Sequence, residues 1–521
     1  MRPLFLKSSS PKTITPKNKF LSFRNGSILL FLLTMSNLAS SAVTLHGLFT
    51  NDMILQRNEA VAVYGTADAG EVITVNFATQ SKVGTADTDG EWKVLLDPLC
   101  ASSTGRTLTA TSEQGSNISL SNVLVGDIWI AAGQSNMDHP FSSYKIIKQD
   151  TEGVSNDQIR LFRSSNGRGS LAPKTEVVAG LSGKWQIAEE TYLNEFSPVG
   201  YYMADRLQQE LNIPIGVIQA GLGATNIESW MPGWLVESTQ AYEFMMGDQW
   251  TPNIMSQTEI DRGDAMARRG TSGLYNYTVA PLRGFSFKGF AWYQGEGNIR
   301  RSWIYRKQFP DMITAWRQDF GDPDAPFLVV ELAPFNAGDG WLWLREAQKQ
   351  ALKLPNTGLV TTVDIGEFLD IHPQDKKSVG DRLAYLALEM DGLPYKGHPP
   401  TYNAMTVVDN TIEITFTRAT TLSTHEVRMN RDKNLPIGQD PNAYVVPAET
   451  VAGFEICAAD QIFVEANAVI SGDTISVSAP SVSTPVAVRY AWKAFPLANL
   501  TSEDGRPVPP FRTDNFAKPV Q

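Results

Sequence analysis

The sequence predicts an α/β fold: a parallel sheet covered by helices on both faces, flanked on either side in the chain by a β domain. Three observations carry this. From about residue 121, apolar strands alternate with amphipathic helices, the pattern of a three-layer α/β/α arrangement. Residues 43–120 and those after about 395 instead run as short alternating apolar and polar stretches between Gly, Asp and Ser turns, as antiparallel β structure does. At 521 residues the chain also exceeds what one ordinary core holds. The expected division is a leader at 1–42, a β-sandwich-like domain at 43–120, an α/β domain at 121–395 and a second β domain at 396–521.

The leader carries Arg2, Lys7, Lys12, Lys17, Lys19 and Arg24 and no acidic residue, then the apolar run Ile28–Met35, then small residues to Ala42. That order reads as a secretory signal cleaved near Ala42, and hence a secreted or periplasmic protein. The run is far short of the roughly 20 residues a spanning helix needs, so no membrane insertion is expected once the leader is gone. Its six basic residues leave with it, taking the formal net charge from −11 to −17. A surface so acidic repels nucleic acid and leaves a neutral sugar unaffected.

In the first β region, "VAVYG" (61–65), "EVITVNF" (71–77), "EWKVLLD" (91–97) and "TLTAT" (107–111) read as strands. The α/β region opens with "VLVGDIWIAAG" and continues to a helix at 197–212, where Ser197 suits an N-cap and Pro198 the first helical position. Strands follow at 213–221 and 287–295, then a helix at 305–320 that Pro310 should bend or restart. A strand at 327–335, a helix at 343–354, a strand at 357–366 and a helix at 377–390 complete it. Strands at 411–416, 474–480 and 486–492 mark the last region, in which no catalytic constellation is visible.

Scarcity narrows the chemistry. None of the five histidines has His-x-x-x-His spacing, and no phosphate-binding loop or dinucleotide fingerprint occurs, so neither metal nor cofactor is expected. Cys100 and Cys457 exclude a disulfide framework but leave one bridge or two free thiols open. What remains is nucleophilic or acid–base chemistry. Ser135 follows an apolar strand within "GQSNM", Gly221 and Gly223 follow a second, Glu296 and Asn298 a third, and Asp364, Glu367, Asp370 and His372 a fourth. Each cluster has an ordinary explanation as a turn, yet four at strand ends of one α/β domain would meet on one rim.

A serine, a glycine, an asparagine and a histidine in that chain order resemble the signature of the SGNH (GDSL-like) hydrolases. More closely, "VLVGDIWIAAGQSNM", "LYNYTVAPL", "GFAWYQGEGN", "AWRQDFG", "LREAQ", "DIHPQDK" with "VGDRLA", and "AVRYAW" with "PFRTDNF" are similar to the sialate O-acetylesterase family, which includes bacterial carbohydrate acetylesterases. The similarity runs from "LFTNDMILQR" (48–57) to the last ten residues. The resemblance implies an SGNH-type α/β domain with Ser135 as nucleophile and His372 as general base. It also implies the N–H groups of Ser135 and Gly223 and the side chain of Asn298 as oxyanion donors, and an O-acetylated carbohydrate as substrate.

Three positions depart from the family pattern. Ala224 stands where a glycine is usual, and Gly297 where a serine is common, there expected to be a tolerated loop change. Leu369 occupies the usual place of the acid, three residues before the histidine. Asp370, two before, shares a direction with His372 in extended chain and is the expected acid; Asp364, Glu367 or no acid at all are the alternatives. A non-catalytic sugar binder is the competing function. Trp230, Trp292, Trp341 and Trp343 could stack on sugar rings, although intact Ser135, Asn298 and His372 argue against a degenerate scaffold. Nothing in the sequence fixes an oligomeric state.

Overall fold

The central strand, Asn117–Gly133, changes character along its length. Residues 117–122 alternate between exposed and covered, whereas 123–133 are all buried. The first part pairs antiparallel with Ser102–Ser112, and Ile54–Gln56 joins it in parallel further on. The last part lies between two parallel neighbours, Gly289–Tyr293 and Ile215–Gly221. The strand at which the α/β region was expected to open is therefore continuous with the β region before it, and residue 121 lies inside it. The computed structural model describes residues 42–521 apart from 165–168, 171, 178–182, 246–269, 420, 437 and 518–521. The expected leader, but for Ala42, lies outside the described residues.

The α/β sheet runs in the order Thr357–Val360, Phe327–Val330, Gly289–Tyr293, Asn117–Gly133, Ile215–Gly221, Ser155–Arg163, Gln186–Glu189. All neighbours in it are parallel except the last pair. Chain segments therefore leave the central strand to opposite sides, and loops at the carboxyl ends of its strands form a crevice.

Helices pack in two pairs, Pro198–Leu211 with Lys376–Met390 and Ser302–Phe320 with Gly340–Gln348. The first begins as its sequence requires: Ser197 Oγ accepts the Gly200 N–H at 3.1 Å, and Pro198 occupies the first turn. Helix Ser302–Phe320 runs through Pro310 without a restart, which leaves a bend as the outcome the sequence allowed. Phe309, Met312 and Ile313 are buried around the proline, so packing holds the helix where propensity alone would interrupt it.

The N-terminal β region and the α/β region share one apolar core, in which Ile73 and Trp92 belong with Ile130 and Phe290. The last region has its own core around Ile412, Ile456 and Val488, beneath two four-stranded sheets. Its ribbon Val427–Met429 with Tyr444–Val446 spans a loop that reaches the crevice described next. Cys100 and Cys457 are both free thiols, the first exposed and the second buried. Among the described residues no helix is long and apolar enough to cross a membrane.

Candidate active site

Gly133 ends the central strand with φ +141°, and a Cβ there would sit 2.2 Å from the Tyr293 carbonyl oxygen. Only glycine allows the neighbouring strand so close. The chain then turns sharply: the Gln134 N–H donates to that same Tyr293 oxygen at 3.0 Å, and Ser135 opens a one-turn helix, Ser135–Asp138. As the first helical residue, Ser135 has an N–H with no acceptor inside the helix.

Gln134 and Asn136, on either side of Ser135, tie this turn to the "QGEGN" loop. Gln134 Oε1 accepts the N–H groups of Gly295 and Gly297, each at 3.2 Å. Asn136 Nδ2 donates to Glu296 Oε1 at 2.6 Å and to the Ile371 carbonyl at 3.1 Å. Ser135 is thus held between two loops by its neighbours' amides, and is itself only 7% exposed. Gly297 is no free loop position: a Cβ on it would lie 2.4 Å from the Thr225 carbonyl oxygen. The serine expected to be interchangeable there does not fit this backbone.

His372 Nε2 lies 2.8 Å from Ser135 Oγ. On the other side of the ring, Nδ1 is 3.5 Å from Asp370 Oδ1, which also accepts the His372 backbone N–H at 2.9 Å. An Nδ1 facing a carboxylate favours the tautomer protonated there, leaving Nε2 to accept the hydroxyl proton. Burial pushes the Asp370 carboxyl up, but hydrogen bonds from His372 and Lys433 outweigh it and hold it well below the usual carboxylate range.

The two alternative acids are occupied elsewhere. Asp364 forms a bidentate pair with Arg382 at 2.7 and 2.8 Å and faces His425. Glu367 accepts the Gln374 N–H at 3.0 Å, and burial, reinforced by the charge of Asp370, raises its carboxyl to about 7.

Gly223 is brought beside the serine: a Cβ on it would stand 3.4 Å from Ser135 Cβ. Its N–H also helps stabilise the Asp138 carboxylate, a group otherwise raised by burial. Asn298 is fully buried. Its Oδ1 accepts from Ile227 N–H at 2.9 Å and Gln294 Nε2 at 3.0 Å, and its Nδ2 donates to Glu228 at 3.0 Å. These bonds fix the amide without engaging Ser135, and one of the two Nδ2 hydrogens is spent on Glu228. Ala224, with φ 58°, takes up the left-handed conformation that glycine would favour, and the residue is exposed.

The crevice over His372 is a cleft of about 300 Å³ lined by His139, Tyr144, Asp370, Lys433 and Asn434 among others. The His139 ring lies 4.5 Å from that of His372, centroid to centroid. Burial, with the nearby charges of His372 and Lys376, lowers His139 to about 4, so it is neutral at ordinary pH. Lys433 Nζ is 3.0 Å from Asp370 Oδ2, and Lys145 Nζ donates to Asn434 at 2.6 Å. The C-terminal β region therefore supplies part of the cleft, although its sequence shows no catalytic pattern. Lys433 and Asn434 lie in an ordinary-looking loop, and only the fold places them here. Gln134, Asn136 and Lys376 could have been noticed as the polar residues embedded in "GQSNM" and "DIHPQDK". The tryptophans considered for sugar stacking do not serve it: Trp230, Trp292 and Trp341 are core residues, and the Arg512 guanidinium lies over Trp343.

A buried hydroxyl hydrogen-bonded to an imidazole whose far side meets a carboxylate is an arrangement able to perform acyl transfer. Comparison with known proteins points the same way. Residues 125–389 match the family model described as carbohydrate esterase, sialic acid-specific acetylesterase. The chain is 25% identical to the mouse (Mus musculus) sialate O-acetylesterase over 549 residues, covering 93% of this chain and 97% of that protein. The human (Homo sapiens) sialate O-acetylesterase is 26% identical over 368 residues, with 64% and 68% covered. Among solved structures, a carbohydrate acetylesterase from Xanthomonas citri superposes with a TM-score of 0.77 at 32% identity, covering 91% of this chain and 100% of that one.

Proposed function

Since the chain belongs to the sialic acid-specific acetylesterase family of carbohydrate esterases, and is thereby a carboxylic ester hydrolase, we propose that it removes O-acetyl groups from carbohydrates through an acetyl-enzyme on Ser135. The observation that carries this reading is the 2.8 Å contact between Ser135 Oγ and His372 Nε2. Ser135 Oγ attacks the acetyl carbonyl carbon as its proton passes to His372 Nε2. The N–H of Ser135, the Gly223 N–H once it turns from the Asp138 carboxylate, and the remaining Nδ2 hydrogen of Asn298 receive the negative charge that develops on the carbonyl oxygen. One such donor lowers the barrier by about 2.7–4 kcal/mol. The sugar–oxygen bond to the acetyl carbon then breaks, and His372 returns its proton to the departing sugar hydroxyl. Water attacks the acetyl-serine with His372 again as base, releasing acetate and restoring Ser135. Asp370 orients the imidazole and balances its positive charge while it holds the proton.

The substrate class is an acetyl ester on a plant or algal polysaccharide-derived sugar or on a sialic acid. Lys145 and Lys433 at the cleft soften the repulsion that the acidic surface would present to an anionic sugar, so both remain in the same proposal. The leader at 1–42 places the enzyme outside the cytoplasm, with residues 121–395 as the hydrolase region between the β regions 43–120 and 396–521. The test is acetate release from a panel of O-acetylated sialosides and plant oligosaccharides by the wild type and by Ser135→Ala. Release by the wild type alone is expected; a folded Ser135→Ala protein that still turns over would overturn the reading.

A further inference from the structure

Lysine is almost never fully buried without a charged partner in contact, yet Lys376 has no exposed surface. It opens the helix Lys376–Met390, directly after the segment carrying His372. Its ammonium donates to a neutral atom, Asn136 Oδ1, at 2.5 Å. The faces of Tyr144 and Tyr293 lie 5.2 and 5.7 Å from it. Glu296, the acid whose charge supports the ammonium most, accepts from the nitrogen of the same Asn136 amide at 2.6 Å, and burial pushes its own carboxyl up. Glu367, Asp370 and Asp375 are the other acids whose charge it feels; burial nevertheless lowers the ammonium to about 7.

Both N–H groups of the Asn136 side chain and its oxygen are engaged by this arrangement. Its oxygen accepts a hydrogen bond from the Lys376 ammonium, one N–H donates to Glu296 and the other to the carbonyl of Ile371. Asn136 follows Ser135 in the chain, and Ile371 precedes His372. One amide therefore joins the residue after the hydroxyl to the residue before the imidazole. Its orientation depends on having a cation at its oxygen and a carboxylate at its nitrogen.

We propose that Lys376 is a positioning residue for acyl transfer: acting through Asn136, its ammonium fixes the distance and angle between Ser135 and His372. The inference rests on the reading of that pair as nucleophile and base. A structural role alone makes a different forecast: removing one member of a buried set of charges lowers stability but leaves kcat and the labelling rate of the folded protein unchanged. Misplacing reacting groups by about 1 Å, in contrast, costs up to about a hundredfold in rate.

The experiment compares kcat, KM and the rate of covalent labelling by a serine-directed phosphonate in the wild type, Lys376→Met, Lys376→Gln, Asn136→Ala and Lys376→Met with Asn136→Ala. Lys376→Met is expected to lower kcat and the labelling rate by about tenfold or more, with KM within about threefold. Lys376→Gln, which keeps a donor for Asn136 Oδ1, should recover part of the loss. The double variant should be no slower than Asn136→Ala, because Lys376 acts through that amide. Normal turnover in Lys376→Met, a loss confined to KM, or losses that multiply in the double variant would each overturn the inference. Should Lys376→Met fail to fold, Lys376→Gln alone and combined with Asn136→Ala supplies the same cycle. A wild type that the phosphonate does not label at Ser135 contradicts the acetyl-enzyme reading instead, so the two failures are distinguishable.

Discussion

Asp370 Oδ1 holds His372 twice, accepting its backbone N–H at 2.9 Å and standing 3.5 Å from its ring Nδ1. In the proposed mechanism this carboxylate, two residues before the histidine, is the acid that orients and balances the imidazole. Asp370→Asn keeps the backbone bond but removes the charge that orients and balances the imidazole. It should lower kcat by about 10- to 1,000-fold while KM changes little. Asp364→Asn should act on stability instead, because it unpairs Arg382. Steady-state kinetics beside thermal melts separates the two; unchanged kcat in Asp370→Asn would remove Asp370 from the site.

Gly297→Ser introduces the residue that the family resemblance leads us to expect at this position and should nonetheless harm this chain. Its Cβ would meet the Thr225 carbonyl oxygen at 2.4 Å, so the loop carrying Glu296 and Asn298 must move. A destabilisation of about 1–3 kcal/mol and a fall in kcat are expected from denaturant titration and kinetics. A variant as stable and active as the wild type would show that the loop yields freely.

Ala224→Gly should have the opposite sign. Ala224 is an exposed residue at φ 58°, a conformation that costs a non-glycine residue about 1–2 kcal/mol. The greater freedom of glycine in the unfolded chain offsets part of this. A net gain of about 0.5–1 kcal/mol in denaturant titrations is expected; a loss would mean that the methyl makes a contact worth more than the strain.

Glu367 sets a pH dependence of stability. Burial and the neighbouring Asp370 raise its carboxyl from 4.5 to about 7. Between those values the folded chain keeps a proton that the unfolded chain has released, so stability falls as pH rises through the window. The slope is at most about 1.4 kcal/mol per pH unit. Glu367→Gln retains an oxygen for the Gln374 N–H and cannot ionise, so its stability should lose that slope. Parallel stability–pH curves for the two proteins would contradict the assignment.

Much of the α/β region was legible because burial on both faces leaves a plain mark: continuous apolar strands such as 123–133, and a helix beginning at Ser197-Pro198. That Ser135, His372 and Asp370 would come together was legible because they lie in loops that follow strands of one sheet, where topology gathers loops. Less visible was what depends on contacts distant in sequence. The unbroken helix across Pro310 is held by its buried neighbours, the steric demand at Gly297 comes from the Thr225 backbone, and Lys433 reaches Asp370 from a separate β region. The central strand hid the join between regions, since one run of chain serves two differently covered parts of a sheet.

The central claim is an acetyl-enzyme on Ser135, and the most direct measurement is intact-protein and peptide mass spectrometry after treatment with a serine-directed phosphonate. One adduct per chain on the peptide containing Ser135, with loss of acetate release in proportion and no adduct in Ser135→Ala, is the predicted result. A protein that releases acetate while unlabelled, or labelled at another serine, would contradict it.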